Sequence, residues 1–148
     1  MNTEMSDSLP PVYNLIEQDV LHELRQLPSG FQLIEQPQPV RFEEEGVSYR
    51  YEPDFIVSSP DGRRMIVEVK SHHSLSMANM ATLAAISEHT RKVGDKFLLL
   101  VPDATAMQAS KKLLPESFGL NIAFTDRSNV VHSVVQALEP VRVSVSAP

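Results

Sequence analysis

One stretch limits the possible folds of this chain more than any other: two apolar runs that mirror each other about a tight turn. Residues 54–70 read DFIVSSPDGRRMIVEVK, with Pro60-Asp61-Gly62 between the runs. Glycine at the last turn position supplies positive φ, and proline and aspartate favour turn entry, so the stretch reads as a β-hairpin. Folding the chain about Asp61 sets Ile56 opposite Ile66 and Phe55 opposite Val67. Side chains alternate along a strand, so Phe55, Val57, Met65, Val67 and Val69 share one face while Ile56 and Ile66 occupy the other. Apolar residues on both faces require cover on both sides. The hairpin therefore belongs to the interior of a layered α/β domain.

The same register sets Asp54 opposite Glu68, with Cβ atoms about 4.5–5.5 Å apart. Lys70, two residues further on, projects from the Glu68 face. Facing carboxylates in an interior repel each other and lose hydration. A divalent cation resolves both problems, and oxygen donors suit Mg²⁺, with Mn²⁺ as a substitute. An adjacent lysine can orient or deprotonate a water, or stabilise negative charge developing on a phosphoryl oxygen. Singly, E-x-K is a common surface pair and Pro-Asp a common turn dipeptide. Their shared register is what points to phosphodiester hydrolysis.

Around this hairpin the chain alternates between helical and strand patterns. Val12, Tyr13, Leu15, Ile16, Val20, Leu24 and Leu27 recur at helical spacing, and Pro28-Ser29-Gly30 ends that helix. Strands are expected over 31–36, 40–46, 47–57 and 64–70. A small-residue helix over 76–92 closes at Gly94, and FLLLVP (97–102) is a strand covered on both faces. A helix around 104–114, a strand over 120–125 and a helix from about 129 to 138 follow. The expected organisation is a leader over 1–10, one domain over 11–139 and a loose tail over 140–148.

Composition narrows the chemistry. With no cysteine, disulfides and thiolate zinc sites are excluded, and any metal must sit on oxygen or imidazole. The N-terminal MNTEMSDSLPP has no apolar core of a signal peptide, and no apolar run reaches the roughly 18 residues of a membrane span, so a cytoplasmic protein is expected. The net charge is −6. Free-standing nucleic-acid binders are usually basic, so action on DNA here calls for a local basic patch, a bound metal or a partner.

Pro53-Asp54 and Glu68-Val69-Lys70 together resemble the signature of the PD-(D/E)XK, or restriction-endonuclease-like, nuclease superfamily. The resemblance implies a mixed central β-sheet flanked by helices, with an αβββαβ core and, in this chain, a C-terminal βαβα extension. It also implies a Mg²⁺-dependent endonuclease in which Asp54 and Glu68 bind the metal, the Val69 carbonyl helps, and Lys70 is catalytic. More narrowly, NLIEQDVLHEL, then IEQP, then YEPDFIVSSPDGRRMIVEVK resemble the N-terminal domain of TnsA-type transposase endonuclease subunits over residues 14–70. A third acid is implied on the first helix. Periodicity leaves Glu17 and Glu23 equal at the margins of the apolar arc, and the family context of Leu15-Ile16-Glu17-Gln18-Asp19 selects Glu17 as catalytic residue and metal ligand.

Other polar residues carry weaker signals. His72 and His73 follow the lysine and read as a polar loop or as neighbours of the site, whereas His22, His89 and His132 have no partner at ligand spacing. Glu43-Glu44-Glu45 reads as a solvated turn, and the resemblance makes Gln36 a possible supporting hydrogen-bond donor. Arg63, Arg64, Arg91, Lys92, Lys96, Lys111 and Lys112 are the cations considered for tracking a phosphate backbone. The leading expectation is a DNA endonuclease given its target by a transposase-type partner or by homodimerisation. The alternatives are a nuclease fold that binds without cutting, and a nuclease acting on RNA or branched DNA.

Overall fold

The computed structural model describes residues 14–103 and 118–140. The leader, the helix expected around 104–114 and the tail from 141 lie outside them. Helix α1 (Leu15–Leu24) starts at Asn14, whose side chain accepts from the Glu17 amide while the Glu17 carboxylate accepts from the Asn14 amide. This reciprocal cap satisfies two amides that have no partner within the helix. Strands β1 (Gln32–Ile34), β2 (Val40–Glu44), β3 (Val47–Tyr51), β4 (Phe55–Ser58) and β5 (Arg64–Val69) follow. Helix α2 (Met77–Lys92), strands β6 (Lys96–Val101) and β7 (Ile122–Phe124) and helix α3 (Val130–Leu138) complete the described chain. Among the described residues, no helix is long and apolar enough to cross a membrane.

The central sheet has the order β1-β4-β5-β6-β7, antiparallel as far as β5 and parallel from there. Alternation along β4, β5 and β6 divides the core into two layers. Phe55, Val57, Met65, Val67, Leu98 and Leu100 meet Val20, Leu24, Val130 and Val134 of α1 and α3. Ile56, Ile66, Phe97, Leu99 and Val101 meet Met80, Leu83 and Ile86 of α2. The α1-β1-β4-β5-α2-β6 order is the αβββαβ core anticipated above, inside a mixed sheet flanked by helices. Phe55 faces Val67 and Ile56 faces Ile66, the register read from the turn, and Gly62 carries φ +87°.

One expected strand is divided. The segment 47–57 does not run continuously: β3 ends at Tyr51 and β4 begins at Phe55. Pro53 lacks the amide that continued pairing needs. The Asp54 side chain, moreover, accepts from the Val69 amide at 2.9 Å. As a result β2 and β3 form a separate two-stranded ribbon outside the central sheet. The acidic turn at its tip uses positive φ at Glu45 and Gly46, and Glu44 is drawn out of solvent to pair with Lys92 at 3.0 Å.

Candidate active site

The break between the ribbon and the sheet is where the polar residues of the hairpin converge. Glu68 occupies the second-last position of β5, between β4 and β6, and is 6% exposed. A carboxylate so enclosed must find partners or give up its charge. Tyr51, the last residue of the ribbon, donates its phenolic hydrogen to Glu68 Oε1. Lys70 Nζ stands 3.7 Å from Glu68 Oε2, with its own side chain one-third exposed. The lysine thus joins a buried anion to solvent.

Asp54 is half-buried at the start of β4 and is anchored by the Val69 amide. Burial pushes its carboxyl up to about 8, and the neighbouring charges of Glu68 and Glu17 push in the same direction. Glu68 is also raised, by burial above all, against the opposing pull of Tyr51, Lys70 and Asp54. The charge of Glu68 thus disfavours ionisation of Asp54 beside it. Burial likewise raises the Tyr51 phenol, with the Glu68 charge adding to it, so the hydroxyl remains a donor.

The structure distinguishes the two helix glutamates. Glu17 lies within hydrogen-bonding reach of Asp54 while one of its oxygens caps α1. Glu23 is turned to Arg127, which also reaches Asp19, at 3.5 and 3.4 Å respectively. Glu17, Asp54, Glu68, the Val69 amide and Lys70 are therefore brought together, and Glu23 is not. Gln36 stands exposed beyond β1. His72 turns to Asp103 at the end of β6: its amide donates at 2.9 Å, and its Nδ1 lies 3.2 Å from the carboxylate without hydrogen-bond alignment. Burial raises Asp103, but hydrogen bonds from the Ser71 hydroxyl and the His72 amide outweigh it and leave the carboxylate low. The histidines belong to this loop closure.

Tyr51 is the residue that sequence reasoning passed over. Placed within an expected continuous strand over 47–57, it gave no sign of reaching Glu68. Its position three residues before Asp54, and two before the strand-breaking Pro53, was the only available signal. Removing its hydroxyl leaves a buried carboxylate oxygen without its donor. Tyr51→Phe is expected to cost about 1.5–3 kcal/mol of stability, measurable by urea unfolding. An unchanged unfolding midpoint would count against the hydrogen bond.

Among the described residues, no group of three or more His, Asp and Glu side chains closes into a ready-made cage for a cation. Mg²⁺ does not require one, since it commonly keeps several waters and takes one or two carboxylates plus phosphate oxygens from a substrate. The hard oxygen donors of Asp54, Glu68 and Glu17 fit such an ion.

No protein family matches the chain, and no curated protein matches it in sequence. Its fold is similar to the crystal structure of protein VC1899 from Vibrio cholerae, with a TM-score of 0.50 and 13% identity over 84% of this chain and 32% of that one. The structure of EndoMS in apo form aligns more loosely, with a TM-score of 0.39 and 17% identity over 79% of this chain and 48% of that one. The chain thus spans about a third and about half of the two proteins' lengths. At these identities the first likeness concerns the fold alone, and the second is too loose to add to it.

Proposed function

We propose that this chain is a metal-dependent DNA endonuclease whose site is Glu17, Asp54, Glu68 and Lys70. The reading rests chiefly on the pairing of half-buried Asp54 with buried Glu68, where burial raises both acids, with Lys70 3.7 Å from Glu68. Structural ion pairs are normally arranged to lower carboxyl pKa values, whereas here two acids are held together against their own charge. Asp54, Glu68 and Glu17 would hold Mg²⁺ or Mn²⁺, with the Val69 carbonyl as a further donor. The ion, when bound, supplies Lewis-acid polarisation of the scissile phosphate.

The chain's own groups do the remaining work. Asp54, which burial holds toward its protonated form, would release its proton to solvent when a cation is bound. Tyr51 fixes one oxygen of Glu68 and leaves the other directed toward Lys70. The Lys70 ammonium, joined to solvent, orients the attacking water or stabilises negative charge developing on the phosphoryl oxygens. A chain of net charge −6 gains little affinity from its overall field. A protein partner, of the transposase kind implied by the TnsA-type likeness, or a second copy of the chain would then supply target choice.

Supercoiled plasmid incubated with Mg²⁺ or Mn²⁺ is expected to become nicked or linear, and EDTA, Glu68→Ala and Lys70→Ala are each expected to prevent it. Cleavage that persists in both variants would remove this site from the reaction. A wild-type chain that leaves plasmid intact but still binds it would favour the competing reading, a nuclease fold used for assembly without cutting.

A further inference from the structure

Most cations considered for backbone contact are already occupied. Arg63 binds Asp61 and the Leu138 carbonyl, Arg91 binds Glu88, and Lys92 binds Glu44. Lys96 Nζ donates to the carbonyls of Ala137 and Glu139 at 3.1 Å, closing the end of α3. Arg64 opens β5 at the end away from Lys70. Lys111 and Lys112 lie outside the described residues; among the described residues, Arg25 and Arg127 are paired with Glu35 and with Asp19 and Glu23, and two further arginines stand on the ribbon.

Arg41 of β2 and Arg50 of β3 are directly opposed cross-strand partners, both exposed on the outer face. Like charges directly opposite each other destabilise a strand pair, so the ribbon carries this arrangement at a cost. Arg41 has no ion-pair partner among the described residues. Arg50 meets only Glu52, at 3.0 Å, and both side chains are about half exposed or more (49% and 66%). A pair so open to water contributes about 0–1 kcal/mol and exchanges readily for another anion. The two arginines rim a shallow depression of about 430 Å³, together with Phe42, Glu43, Ser48 and Tyr49, and the exposed Glu43 carboxylate shares the outer face with Arg41.

The ribbon's inner face fixes which side remains available. Phe42 stacks on His89 of α2 with ring centroids 4.2 Å apart and on Tyr49 at 5.0 Å, while Glu44 holds Lys92. The row next to Arg41–Arg50 is Val40–Tyr51, and Tyr51 is the residue bonded to Glu68. From Arg50 to Asp54, four residues of extended chain span at most about 14 Å, or roughly four base steps along one DNA strand.

We infer that the outer face of the β2–β3 ribbon, through Arg41 and Arg50, grips the phosphate backbone of a DNA duplex and delivers it to the carboxylates at the ribbon's base. The inference rests on the nuclease reading for what happens at that base. Paired guanidinium groups match phosphate oxygens by charge and by their fork of donors. A two-stranded ribbon fits the major groove of B-form DNA but not the narrow, deep groove of A-form RNA. Outward-facing Glu43 and the turn residue Glu45 place negative charge toward the tip, so the phosphate contacts fall at the Arg41–Arg50 end of the ribbon.

The test is fluorescence anisotropy with a labelled DNA duplex in EDTA, so that binding is read without cleavage. Arg41→Ala/Arg50→Ala is expected to weaken binding about tenfold or more and to reduce the slope of log K against log salt by about 2. Arg91→Ala, on the exposed surface of α2, is expected to do neither, and Arg41→Lys/Arg50→Lys to recover most of the slope. Unchanged affinity and slope in the double alanine variant would overturn the inference, as would a wild-type chain that binds no duplex. Equal or tighter binding to an RNA duplex would overturn the assignment to DNA. Ribbon-dependent binding without plasmid cleavage would leave the ribbon standing and remove the hydrolytic reading. Cleavage indifferent to the double substitution would do the reverse.

Discussion

Asp54→Asn is expected to abolish cleavage while making the metal-free protein more stable. Asparagine keeps the acceptor for the Val69 amide, which Asp54 now serves at 2.9 Å. It removes a carboxyl that burial holds near 8 instead of its ordinary 3.8. At pH 7 an unfolded Asp54 is ionised, so folding must first load it with a proton. That uptake sets an upper bound of roughly 4 kcal/mol on the stability gained by the amide. As a neutral ligand, asparagine would bind a divalent cation far less well, and plasmid cleavage should fall by about 100-fold or more. Calorimetry and the plasmid assay on the same preparation provide the check. Lost activity together with lost stability would mean that Asp54 serves as a structural hydrogen-bonding group and not as a held-back ligand.

The second large effect is a reversed dependence of stability on pH. A carboxyl raised in the folded state contributes stability that is complete below its unfolded value, about 4, and disappears as pH rises through the folded value, about 8 for Asp54. Glu68 is raised as well and acts in the same direction. In EDTA the melting temperature should therefore climb as pH falls from about 8 toward about 5. Glu35 and Asp103, held low by their hydrogen bonds, act the opposite way and withdraw their support only under more acid conditions. Saturating Mn²⁺ binds the ionised carboxylates of the native state, so it should raise the melting temperature most at high pH and flatten the slope. A metal-free protein that melts lower at pH 5 than at pH 8 would contradict the linked-acid picture.

The central hairpin was legible because each local signal agreed with the others. The turn set the register, the register set the two apolar faces, and both layers of the core follow from them. Asp54, Glu68 and Lys70 could be placed together from that register alone. Glu17 could not, because helix periodicity measures only distance from an apolar arc. What separates it from Glu23 is the reach of Asp54 on one side and the pull of Arg127 on the other, both long-range contacts. The ribbon was misread for a similar reason. VSYRYEPDFIV alternates well enough to pass for one strand, and only Pro53 marks the place where the chain changes sheets. Treating 47–57 as one strand hid Tyr51. Arg41 and Arg50 are nine residues apart in the chain and become a pair only once the turn expected over Glu43–Glu45 is placed at Glu45-Gly46, with Glu43 and Glu44 in β2.

The position of Glu68 between two paired neighbours also bears on how the chain finds its native arrangement. Because β5 is flanked by β4 on one side and β6 on the other, a slip of one residue against either partner would turn every side chain to the opposite layer. Glu68 and Lys70 would then enter the oily layer beneath α1 and α3, while Val67 and Val69 would be turned toward the site. The two buried charges make the wrong alignment costlier than apolar residues alone would. The carboxylate that the proposed chemistry needs thus also guards against misfolding, and a Glu68→Leu chain should populate shifted pairings that the natural chain avoids.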